Sequence, residues 1–256
     1  MYGADFFELI AKRANHISSA VIETGKPVIF QNKSHHPNTG DNHRRDAASL
    51  DWDANGAIVW FSPGQALHHI FHALLHLHRY WVQGVPQFWD QKNGCSGMLY
   101  EIESCYEHLV IVPVEIAHFP EAYSYWVNHA EEQLYRYQDE GRSRGNIKAK
   151  LFQLFLLAQT AFPRSQVAQS IADVAKERGL VSEFAELAAI IFKNFDHKAF
   201  VLESLCLYRS GSVPSSLGMN WAEKTNESEA LQTYWASLKD YQTLHELPDV
   251  AIRSMS

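Results

Sequence analysis

Five of the chain's 14 histidines, His68, His69, His72, His76 and His78, fall within eleven residues. His72 and His76 stand four apart, so on a helix they lie one above the other on one face and can hold a single metal ion. Neutral imidazoles bind Zn2+ at about 2.0 to 2.1 Å, and two of them on one rigid turn need only a third ligand from elsewhere to leave an open coordination position. The competing account is an aromatic-rich core helix whose histidines pack or face water. His68 and His69, one turn earlier, either line a cleft or sit on the helix surface, and His78 and Arg79 orient neighbours or face solvent. A segment bearing Glu101, Glu103, Glu107 and His108 follows. Alone it reads as a solvated helix face; beside the histidines it is a source of further ligands.

The pair sits in HALLHLHRYW, on a helix directly after the short apolar strand AIVWF, with the carboxylate-bearing helix next along the chain. Over roughly residues 56–118 this arrangement resembles the zincin metallopeptidases, whose motif is HExxH, and His72 and His76 match the two ligands. HALLHLHRYW and YEHLVIVPVE are also similar to the segments HELLHLxRYW and LEHLVIVPxE of bacterial zincin-like proteins. The departure is Ala73, where the family carries the glutamate that takes a proton from metal-activated water. Alanine there reflects either a natural loss of the base or a deliberate Glu→Ala replacement, and the otherwise intact helix favours the second. In the gluzincin branch a later helix supplies a glutamate ligand, and an acidic residue four positions on orients one of the histidines. The resemblance therefore implies Glu103 as third ligand and Glu107 as orienting carboxylate, with the reverse order open and His108 and Glu115 as further candidates. It also implies a donor to the oxyanion on the scissile carbonyl, for which His108 is the nearest choice, followed by Tyr100 and Tyr106.

The implied function is a zinc-dependent metallopeptidase that cleaves a protein or peptide substrate through metal-activated water and is catalytically impaired at Ala73. The alternative is a natural, non-enzymatic zincin-like pseudoenzyme acting as a protein-interaction module. A helical di-metal oxidase has less support, because Glu115-Ile-Ala-His118 is a single E-x-x-H element where such a site needs two.

These residues need elements to position them. Phe6, Ile10, Ala14, Ile17 and Val21 recur at steps of three or four, which predicts an amphipathic helix over 5–24 that Gly25 ends. Residues 28–30 read as a short strand, and NKSHHPNTGDNHRRD reads as a loop. Asn55-Gly56 predicts a turn into a strand at 57–61. Ser62-Pro63 reads as the cap of a helix running to Gly84, and the next helix spans roughly Met98 to Val110, limited by Pro113. Further helices are expected over 121–137, 147–161, 165–178, 181–195, 197–207 and 227–243. Strands come early, without βαβ alternation, so the class is α+β, mostly α: a small N-terminal sheet beside the active-site helix, then a helical C-terminal subdomain. The expected domains are 1–140, zincin-like and catalytic, and 147–256, helical, around the linker DEGRSRGN at 139–146.

With 256 residues, 46% of them hydrophobic, the chain can bury a sizeable core. Its 22 Lys and Arg against 29 Asp and Glu give a net charge of −7, which argues against a nucleic-acid partner. No apolar run reaches a membrane span, and MYGADFFELIAKR carries acidic residues where a signal peptide is basic, so a cytoplasmic location is expected. Cys95, Cys105 and Cys206, an odd number without CxxC, fit a reducing compartment. No phosphate-binding glycine loop or serine-hydrolase elbow is present. His35, His36, Asp41 and His43 are spaced too irregularly for a second metal, and Arg142, Arg144, Lys148 and Lys150 read as a solvated linker.

Overall fold

The computed structural model describes residues 3–35, 48–90, 98–138, 146–213 and 217–220. Its first helix, α1 (Gly3–Glu23), buries Phe6, Ile10, Ile17 and Val21 along one stripe, as their spacing requires. Gly25 ends it with φ +69, a left-handed conformation that a side chain would strain. Strands β1 (Val28–Asn32), β2 (Ser49–Trp52) and β3 (Ala57–Phe61) form one sheet in the order β1-β3-β2. Phe6 meets Phe30 and Phe61 with ring centroids 5.0 Å away in both cases, which seats α1 on this sheet.

Asn55 and Gly56 lie in the turn between β2 and β3, where both backbone N–H groups donate to Asp53 Oδ1 at 2.7 and 3.0 Å. β2 and β3 pair antiparallel, whereas β1 and β3 pair parallel, in register from Val28 with Ala57 to Asn32 with Phe61. The parallel pair departs from the sequence expectation. The strand between them in sequence, β2, lies at the sheet's far edge and runs antiparallel to β3.

The helix carrying the histidine pair is shorter than expected. Ser62 and Pro63 do not cap it: Ser62 forms a turn with Gln65, whose side-chain oxygen accepts from Ser62 N at 2.9 Å. Helix α2 (Leu67–Leu77) starts after Ala66 and has no side-chain cap. It passes into a π-helical turn, His78–Val82, that buries Arg79, Tyr80 and Trp81. β4 (Gln87–Asp90) pairs with β5 (Leu217–Asn220).

Helix α3 (Met98–His118) continues through Pro113 instead of stopping before it. Proline deprives the helix of one backbone bond, but Leu109, Ile111 and Val112 before it and Phe119 beyond it are buried, and that packing offsets the loss. The rest is helical: α4 (Ala122–Gln138), α5 (Ile147–Ala161), α6 (Gln166–Glu177), α7 (Val181–Lys193) and α8 (Lys198–Ser210). Asn146 and Ser165 cap α5 and α6, each accepting a backbone N–H at 3.0 Å. The fold is therefore α+β, mostly α, with a small sheet near the N-terminus.

Among the described residues, one compact unit comprises α1, the three-stranded sheet, α2 with its π-helical turn, and α3 beyond Pro113. The other comprises α3 up to Pro113, α4 from Tyr123 onward, and α5–α8. The grouping differs from the expected 1–140 and 147–256: α4 belongs with α5–α8, and α3 runs through both units as one helix. Residues 139–145 of the expected linker, the helix expected at 227–243, and His36, Asp41, His43, Cys95, Arg142 and Arg144 lie outside the described residues. Among the described residues, no helix is long and apolar enough to cross a membrane.

Candidate metal centre

Helix α2 stacks His68, His72 and His76 at intervals of four, on one face. Opposite His68 and His72 lies Glu115, a fully buried carboxylate on the last turn but one of α3. His68 Nδ1 donates to Glu115 Oε1 and His72 Nδ1 donates to Glu115 Oε2, each at 2.8 Å. A carboxylate accepts only, so both rings carry a proton on Nδ1, and in a neutral His72 the lone-pair nitrogen is then Nε2. That is the tautomer a metal ligand needs, held by the carboxylate partner that metal-binding histidines ordinarily have.

His76, one turn on, has its Nδ1 3.3 Å from Tyr80 Oη. Donation from Nδ1 to the phenol oxygen again leaves Nε2 for a metal. Tyr80 belongs to the π-helical turn, and its ring stacks on Trp52 at 4.6 Å and lies over His76 at 5.7 Å. Indole, phenol and imidazole thus form a short column behind His76.

The third histidine comes from α3. His108 precedes Glu115 by seven residues, two helical turns, so the helix that brings Glu115 to His72 presents His108 on the same side. The ligand atoms of His72, His76 and His108 all lie within 4.8 Å of one another, and all three residues are half-buried. Such a group can hold a metal ion. Trp126 packs edge-on against His108 at 5.0 Å.

Glu103 and Glu107 are engaged elsewhere. Both are buried, and both accept from Lys198 Nζ, Glu107 at 2.6 Å. Burial pushes the Glu103 carboxyl up to about 7, Lys198 opposing the rise and Glu107 adding to it. The expected ligand and the expected orienting carboxylate thus form a buried ion cluster with the first residue of α8. Among the described residues it is His108, not Glu103, that groups with His72 and His76, and Glu115, not Glu107, that meets His72.

Ala73 is on α2 next to His72 and only 1% exposed, so its methyl group is part of the core. His68, His69 and Arg79 are buried too, so of the alternatives left open the surface position for His68 and His69 and the solvent-facing one for Arg79 do not hold. An imidazole or guanidinium at those positions is inside because it has partners: Glu115 for His68, and Gln83 Oε1, 3.2 Å away, for Arg79. Tyr106 packs and donates to the Phe195 carbonyl at 2.8 Å, and Tyr100 is exposed. His118 turns from the centre and donates to Arg13 O at 3.0 Å, beside the kink in α1 at Ala14. The E-x-x-H element therefore places its Glu on two histidines and its His on a backbone carbonyl.

No family model, no curated protein and no solved structure matches the chain.

Proposed function

We propose that the chain is a zinc-binding protein with a hydrolytic type of centre, a metallopeptidase acting on protein or peptide and impaired at residue 73. The observation that carries the reading is the convergence of His72, His76 and His108 with Glu115 fixed on His72 Nδ1. Three imidazoles leave a zinc ion one open position, where it supplies Lewis acidity to water or to a substrate oxygen. The chain's own contribution is to hold three neutral imidazoles in place and to bury the carboxylate that orients one of them. What it lacks is a base at 73, and such a loss typically costs about 10²- to 10⁴-fold in rate.

The burial of Ala73 favours a second reading, a metal-bearing interaction module that never had a base there. Elemental analysis of the purified chain, of His72→Ala and of His108→Ala, with a proteome-wide cleavage assay on the chain and on Ala73→Glu, separates the possibilities. We expect about one zinc per chain, lost in both alanine variants, and cleavage gained with Ala73→Glu. A folded parent without metal overturns the zinc reading. Zinc without cleavage by Ala73→Glu leaves the interaction module.

A further inference from the structure

His68 is a buried polar residue one helical turn before the metal-binding pair, and the three-histidine centre does not use it as a ligand. Its contact with Glu115 has a consequence for the site. A carboxylate held through one oxygen still turns about its side-chain bonds, whereas one held through both has its plane and its depth set. Here His68 takes Oε1 and His72 takes Oε2, both at 2.8 Å. The two donors are four apart on one helix, so their spacing along α2 defines the line on which the carboxylate lies. His68 is itself packed against the His69 ring at 4.0 Å, which limits its own rotation.

We propose that His68 is a positioning residue for the metal centre: by donating Nδ1–H to Glu115 Oε1, it fixes the carboxylate whose other oxygen holds the His72 proton on Nδ1, the tautomer in which Nε2 is the ligating nitrogen. The proposal rests on the zinc reading for its effect on affinity, but its effect on the His72 tautomer is present without metal.

Two variants separate donor from filler. Asparagine places its side-chain N–H near where imidazole has Nδ1, so His68→Asn keeps the bond; His68→Leu fills space and has no donor. Zinc affinity is measured by competition with a chromophoric chelator, and the His72 tautomer in the metal-free protein by 15N NMR. His68→Leu is expected to bind zinc about 10- to 100-fold more weakly, the usual cost of losing an outer partner of a ligating histidine, and to show His72 as a mixture of tautomers. His68→Asn is expected to stay within about 3-fold of the parent with His72 locked on Nδ1–H, since it retains the outer partner's donor. If His68→Leu unfolds the chain, His68→Gln, which keeps a buried amide but displaces its N–H, carries the same expectation as leucine.

Equal zinc affinity and an unchanged His72 tautomer in parent, Leu or Gln, and Asn proteins overturn the proposal. If the parent binds no zinc, the zinc reading fails, and the tautomer measurement alone decides whether His68 positions His72.

Discussion

An imidazole that donates from Nδ1 has only Nε2 left to give, and the two neighbouring histidines of the proposed centre face that choice against different partners. His72 faces a buried carboxylate and His76 a phenol oxygen. Ala73, between them, faces the core at 1% exposure. Placing glutamate there adds four heavy atoms, one carbon and a carboxylate, to a packed interior, so the variant that tests catalysis also tests stability. Ala73→Glu is expected to be less stable than the parent by about 1 to 3 kcal/mol from overpacking alone, and by more where the carboxylate is ionised without a partner. Zinc is expected to recover part of that loss, since a ligand that binds only the folded state stabilises it. Chemical denaturation of both proteins with and without zinc reads all of these quantities, and equal stability in metal-free parent and variant contradicts the burial of residue 73.

At the scale of elements, α3 matters most, because one helix carries both His108 and Glu115 with Pro113 between them. Proline removes an N–H and crowds the carbonyl one turn earlier, so residue 113 bears on the local helix geometry between the two side chains that the proposed centre uses. Pro113→Ala is expected to keep or raise the melting temperature while weakening zinc binding several-fold, as the helix relaxes to ideal geometry. A lower melting temperature with unchanged zinc affinity contradicts this. Legibility in the sequence followed the range of the interactions concerned. β3 and α5 could be read to the residue, because a turn at Asn55-Gly56 and a strong apolar period are local signals. The start of α2 was misplaced because Ser62 and Pro63 suit a turn as well as a cap, and the far half of α3 was lost because proline's local cost is visible while the packing that offsets it is not. That His72 and His76 share one helix face was legible from spacing alone. The Lys198 contact with Glu103 and Glu107 was not, because it spans more than ninety positions and a lone lysine before AFVLESL carries no local sign of a partner.

For the molecule as a whole, with its net charge of −7, that ion cluster makes stability depend on pH. Two buried carboxylates share one ammonium that is itself 2% exposed, so when both are ionised the cluster carries one uncompensated negative charge in the interior. Glu103 answers by holding its proton up to about 7, with burial the main cause, whereas in the unfolded chain it releases it near the ordinary value of about 4.5. Between those values the folded state binds more protons than the unfolded state, so the slope of unfolding free energy against pH is negative for this group. Its contribution is greatest below about 4.5, falls as pH rises toward about 7, and is level above that. Glutamine at 103 keeps an acceptor for Lys198 and cannot ionise. Glu103→Gln is therefore expected to gain in melting temperature relative to the parent as pH is raised from about 5 to about 8, with most of the gain complete just above neutrality. Comparing the two proteins at each pH cancels the titration of groups outside the cluster, histidines included. Parallel melting curves for parent and Glu103→Gln across that range contradict a proton held in the cluster and imply that Lys198 balances both carboxylates as they stand.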